Sequence, residues 1–145
     1  MGHRSVTIDI AAPPERVFDI YTDLRRLPEW QRQPGLKGTE GTMDRPGAEF
    51  VIRYGWPLTL RGRVLAVERP SLQRVRAREL AGLVTCETTA RFDAADGGTR
   101  LTFEYDYQVV GGPVGRLFDG MAGGDMEKRG AEDAAGLKAV AEKAV

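Results

Sequence analysis

The sequence predicts an α+β fold in which a curved antiparallel sheet of about six or seven strands wraps around one long C-terminal helix, with two short helices after the first strand. Three observations support it. Between residues 49 and 110, apolar and polar residues alternate in successive runs divided by short turn signals, the pattern of a meander rather than of βαβ units. Residues 113–145 open on a proline and are rich in Ala, Glu and Lys, which favours a long helix. A single N-terminal strand is followed by two closely spaced helical signals.

Taken in order, Val6, Thr7, Ile8, Asp9 and Ile10 alternate with the period of a half-buried strand. Pro14 suits a first helical turn, and Val17, Phe18 and Tyr21 then share one helical face. Thr22 or Asp23 can cap a second short helix with Leu24 and Leu27 turned inward, and Pro28 is expected to end it. Residues 33–48 carry Pro34, Gly35, Gly38, Gly41, Pro46 and Gly47, the composition of loop and edge strand. Strand patterns return at 49–56, 58–68, 72–80, 83–92 and 99–110.

The turn residues fix a register. A two-residue turn at Ala81-Gly82 sets Ala77 opposite Cys86, Val75 opposite Thr88 and Arg76 opposite Glu87. A four-residue turn centred on Asp96-Gly97 sets Phe92 opposite Leu101, Ala90 opposite Phe103, Thr88 opposite Tyr105 and Cys86 opposite Tyr107. One face then gathers the aromatic and aliphatic residues. The other gathers Arg74, Arg76, Glu87, Arg91, Glu104 and Asp106, with opposite charges meeting across strands. Strand 58–68 carries apolar residues on both faces, which predicts a bulge.

The C-terminal helix must cover the apolar face. Its first stripe, Val114, Leu117, Phe118 and Met121, continues at helical spacing into Asp125, Lys128 and Glu132. A second stripe, Met126, Gly130, Ala134, Leu137 and Ala141, lies more than a quarter turn away. Gly123-Gly124 sits between them and predicts a bend or change of face. The first half is then expected to close a cavity, with Asp125, Lys128 and Glu132 turned to solvent by the bend.

Composition narrows the function. Equal numbers of basic and acidic residues, 21 each, argue against a nucleic-acid binder. No apolar run reaches the roughly 18 residues that span a bilayer, and Met1 to Ser5 lead into no apolar signal segment, so stable membrane insertion is not expected and the default location is cytoplasmic. One cysteine, Cys86, forbids an internal disulfide. The sole histidine, His3, stands at the far N-terminus, which argues against Cys–His catalysis, a Ser-His-Asp triad and a His-rich metal site. No metal, no cofactor and no catalytic set are expected.

Val6-Thr7-Ile8-Asp9-Ile10-Ala11-Ala12-Pro13-Pro14-Glu15-Arg16-Val17-Phe18, followed by Asp23-Leu24 and Pro28-Glu29-Trp30, resembles the opening of the START-like (SRPBCC) superfamily, in particular its polyketide cyclase/dehydrase and lipid-transport branch. Gly62-Arg63-Val64, Glu68-Arg69-Pro70 and the run from Gly111 to Leu117 are similar too, so the resemblance covers essentially the whole chain as one helix-grip domain, 1–145. The resemblance implies a cavity between sheet and helix for a small hydrophobic molecule such as a lipid, polyketide or isoprenoid. Its members also include polyketide cyclases and aromatases, and some meet protein partners.

The predicted wall residues are Trp56, Thr88, Phe92, Phe103, Tyr105, Tyr107, Leu117, Phe118 and Met121. Buried hydroxyls at Thr88, Tyr105 and Tyr107 need partners, supplied either by a ligand or by the surrounding core. For Trp30, at the end of the second helix, the resemblance implies core packing beside the cavity entrance. The leading expectation is binding or carriage of a small hydrophobic molecule. A cyclase acting on a poly-ketone in the same cavity and a protein-interaction module are the alternatives, and a homodimer is compatible with all three.

Overall fold

The computed structural model describes residues 2–31, 35–54, 58–79 and 82–143, without the side chains of Val114 and Asp119. Its elements run β1 (Gly2–Ile10), α1 (Pro14–Thr22), a 3-10 turn (Leu24–Arg26), α2 (Leu27–Trp30), β2 (Gly38–Gly41), β3 (Glu49–Arg53), β4 (Thr59–Glu68), β5 (Leu72–Glu79), β6 (Val84–Ala95), β7 (Gly98–Val109) and α3 (Gly112–Glu142). The strands form one seven-stranded antiparallel sheet in the order β1-β7-β6-β5-β4-β3-β2. The helix-grip arrangement is therefore present, with α3 laid across the sheet mainly over β1 and β7.

Turn chemistry sets the register as expected. Ala77 pairs with Cys86 and Val75 with Thr88 across β5 and β6. Thr88 pairs with Tyr105 and Phe92 with Leu101 across β6 and β7. The β6–β7 turn is the expected one: the ladder runs on to Ala95 and Gly98, the outer pair of the four-residue turn, with Asp96-Gly97 at its centre. Both turn residues have positive φ, 48° and 79°, as a hairpin matched to strand twist requires. The bulge in β4 falls between Val64 and Ala66. On the outer face Arg74 and Arg76 both reach Glu87, and Arg91 reaches Glu104.

Two local expectations need correction. Pro28 does not end the second helix. Asp23 caps the 3-10 turn by accepting from the Arg25 amide at 3.1 Å, and Pro28 occupies the first turn of α2, where its missing N–H costs nothing. Nor does α3 break at Gly123-Gly124; it is one helix of 31 residues. Here the glycines admit aromatic rings. A Cβ on Gly123 would overlap the Tyr107 hydroxyl, and one on Gly130 the Tyr105 hydroxyl.

Because α3 stays unbroken, only one of its two apolar stripes can face the sheet. The second does: Met126, Gly130, Ala134, Leu137 and Ala141 are buried. The helix end is tied to the β1–α1 corner by three hydrogen bonds: Ala11 N–H donates to Glu142 Oε2 (2.7 Å), Arg16 Nε to Ala141 O (2.8 Å) and Lys138 Nζ to Asp9 O (2.8 Å). Among the described residues, no helix is long and apolar enough to cross a membrane.

Gly130→Ala tests this packing. On an open helix surface the change would gain about 0.5–1 kcal/mol. At Gly130 it must displace Tyr105, so a lower melting temperature is expected. Gly120→Ala, where a Cβ meets nothing within 4 Å, should raise it slightly. Equal effects of the two in thermal melts would contradict the contact.

Candidate functional site

A cavity of about 160 Å³, partly open to solvent, lies between the inner sheet face, α2 and α3. Its apolar wall comes from Leu27 and Trp30 of α2, Phe50 and Ile52 of β3, Val75 and Ala77 of β5, Phe103 of β7 and Met126 of α3. Strand alternation delivers these side chains, since every second residue of β3, β5, β6 and β7 points the same way. Tyr21 stacks near Trp30 and Phe103, at ring-centre distances of 5.6 and 5.4 Å, and joins α1 to that wall.

Polar groups occupy other parts of the lining. The Tyr54 hydroxyl donates to Gln31 Oε1 at 2.6 Å. Arg129 of α3 reaches Glu79 of β5 at 3.3 Å and Asp125 at 2.9 Å. Tyr21, Thr88, Tyr105 and Asp133 also line the space. Burial pushes the Tyr54 phenol up to about 12, and drives Tyr21 and Tyr105 further in the same direction, with the Asp133 carboxylate adding to each. These phenols therefore stay protonated at neutral pH. Burial works against the Arg129 charge, but the Glu79 and Asp125 carboxylates outweigh it, so the guanidinium is held firmly cationic.

Cys86 is on the same wall, and burial lifts its thiol to about 11, which suppresses the thiolate and nucleophilic chemistry with it. Among the described residues, no three His, Cys, Asp or Glu side chains are disposed to hold a metal ion.

The raised values have a consequence for stability. The folded state keeps protons that the unfolded chain releases from about pH 9 to 10, the ordinary range of Cys86 and the tyrosines. Their stabilising contribution is thus complete below pH 9 and is lost as pH rises through the folded values near 11 and 12. Thermal melts from pH 8 upward should show a falling midpoint beyond about pH 9. A flat profile would contradict it.

Of the predicted wall residues, Thr88, Phe103 and Tyr105 do line the cavity. Trp56 lies outside the described residues. Phe92 is buried elsewhere, edge-on to Phe18 at 5.3 Å, in the layer between sheet and α1. Tyr107 packs with Val84, Cys86 and Met126 beyond the cavity. Leu117, Phe118 and Met121 do not line it; they are 77%, 49% and 69% exposed, because the unbroken helix turns their stripe away from the sheet. Asp125 and Lys128 are exposed and Glu132 is half-buried, as an off-stripe position dictates.

Sequence reasoning missed Tyr21, Gln31, Glu79, Arg129 and Asp133 as lining residues. One signal was available: Asp133 interrupts the stripe of Met126, Gly130, Ala134 and Leu137, and a carboxylate on an otherwise apolar helical face marks a polar site.

A family model described as "Polyketide cyclase / dehydrase and lipid transport" matches residues 1–142. No curated protein matches the sequence. Among solved structures, MLL2253 from Mesorhizobium loti is similar at a TM-score of 0.79 and 20% identity, over 99% of both chains. CV1439 from Chromobacterium violaceum is similar at 0.76 and 19% identity, over 97% of this chain and 96% of its own. DynU16, from the dynemicin biosynthetic locus, is similar at 0.75 and 20% identity over 97% of this chain, which spans about half (47%) of the DynU16 chain. At these identities the likeness is one of fold.

Proposed function

Since the chain belongs to the polyketide cyclase/dehydrase and lipid-transport family, we propose that it binds a compact apolar molecule between the sheet and the C-terminal helix. One observation carries this reading: the sheet and helix enclose vacant space of about 160 Å³ whose wall is largely aliphatic and aromatic. An apolar cavity of about 150 Å³ stays dry and admits benzene, so space on this scale holds one aromatic ring or a short branched chain, and its open side leaves room for a second fused ring. Ligand contact there removes apolar area from water at roughly 25 cal/mol per Å².

Naphthalene is a suitable probe. The reading expects saturable one-to-one binding in fluorescence titration, and co-purifying small molecules in native mass spectrometry. Absence of saturable binding would contradict it.

A cyclase or dehydrase reading draws support from the polar groups that share the same wall. Protonated Tyr21 and Tyr105 can donate hydrogen bonds to a ketone oxygen as charge develops on it, which is how such groups assist enolisation. Tyr105→Phe should then abolish turnover of a poly-ketone model substrate while leaving naphthalene binding within about threefold of wild type. Unchanged turnover would remove Tyr105 from that role.

A further inference from the structure

If the cavity is a binding site, the charges on its wall decide which molecules it admits. Among the described lining residues, Arg129 is the one guanidinium or ammonium, whereas Glu79 and Asp133 are both carboxylates. Arg129 is also already engaged. It lies 3.3 Å from Glu79 across the cavity wall and 2.9 Å from Asp125 one helical turn earlier. Its side chain is only 35% exposed, so water screens this group less than a surface ion pair.

Among the described lining residues, one cation therefore stands against two carboxylates. Tyr54 registers it: after burial and its bond to Gln31, the Asp133 and Glu79 carboxylates hold its proton on and only Arg129 opposes them. An incoming carboxylate would bring like charge towards Glu79 and Asp133, with no uncommitted cation among the described lining residues to meet it. Like charges brought together at a half-buried wall repel more than on an open surface, which is how interfaces exclude wrong partners. A neutral carbonyl or ether oxygen faces no such cost. Tyr21 and Tyr105 line the same space, and a phenol can donate a hydrogen bond to such an oxygen without importing charge.

We propose that the cavity selects by charge: it takes uncharged apolar molecules bearing a carbonyl or ether oxygen and rejects carboxylates of the same size, with the Glu79–Arg129 pair setting the discrimination. The proposal rests on the binding reading above but goes beyond it, since apolar space alone would accept the hydrocarbon part of either class.

The test uses two matched probes, 2-acetonaphthone and 2-naphthoate, titrated against the intact protein at neutral pH by calorimetry. Wild type should bind the ketone at least about tenfold more tightly than the carboxylate. Glu79→Gln releases Arg129 from one carboxylate and should raise 2-naphthoate affinity by about tenfold while changing the ketone little. Glu87→Gln removes the same charge from the outer sheet face, where Glu87 binds Arg74 and Arg76, and should leave both affinities unchanged. Equal affinity of the two probes for wild type, or an equal gain of 2-naphthoate binding in both variants, would overturn the proposal and leave the cavity as an unselective binding site. Failure of both probes and of naphthalene to bind would overturn the binding reading itself.

Discussion

Leu137→Ala should lower stability by about 2–5 kcal/mol, the range for emptying a fully buried leucine site. Leu137 is 0% exposed and stands on the stripe by which α3 grips the sheet. Its buried companions on that stripe are mostly small: Gly130, Ala134 and Ala141, with Met126 nearer the cavity. Small residues let the helix approach closely but bury little area each, so Leu137 supplies most of the apolar burial towards the helix end. Nearby, Lys138, Ala141 and Glu142 tie the backbone to β1 and α1, which limits how far the helix can shift to close a void. Urea denaturation should show a lower midpoint with little change in slope. A loss below about 1 kcal/mol would mean that α3 is held elsewhere.

Ala77→Phe should eliminate naphthalene binding, weakening it about 100-fold or more, equivalent to about 2.7 kcal/mol. Ala77 faces inward from β5, opposite Cys86, and lines the cavity. The added phenyl ring has about the size of the guest that a cavity near 150 Å³ accepts, so it occupies the ligand's place. Overpacking a filled core costs about 1–3 kcal/mol, but a ring entering vacant space should cost less. The expected pair of results is therefore lost binding with a melting temperature near that of wild type. Retained binding in a folded variant would put the ligand somewhere else. A large loss of stability would mean that the space is not vacant.

The fold could be read in the sequence because it is written in local patterns that agree with one another. The alternation in β5, β6 and β7, together with Gly82 and Asp96-Gly97, is enough to set the pairing of Val75 with Thr88 and of Thr88 with Tyr105. The site was only half legible. Thr88, Phe103 and Tyr105 followed from strand parity, but the contribution of α3 turned on which of two stripes faced inward. Leu117, Phe118 and Met121 look the better candidates by hydrophobicity, and they point to solvent. The inward stripe won because Gly123 and Gly130 leave room for Tyr107 and Tyr105, a steric fit between distant segments that helical periodicity does not encode. Glu79 and Arg129 were missed for the same reason: 50 positions apart in sequence, they meet only once the helix is docked.

Proton NMR of the protein with bound naphthalene separates the cavity from the exposed strip on α3 directly. Nuclear Overhauser contacts from the naphthalene protons should reach the Phe103 and Tyr105 rings and the Met126 methyl, all of which line the cavity. Contacts confined to Leu117, Phe118 and Met121 on the exposed stripe would contradict a ligand held between sheet and helix.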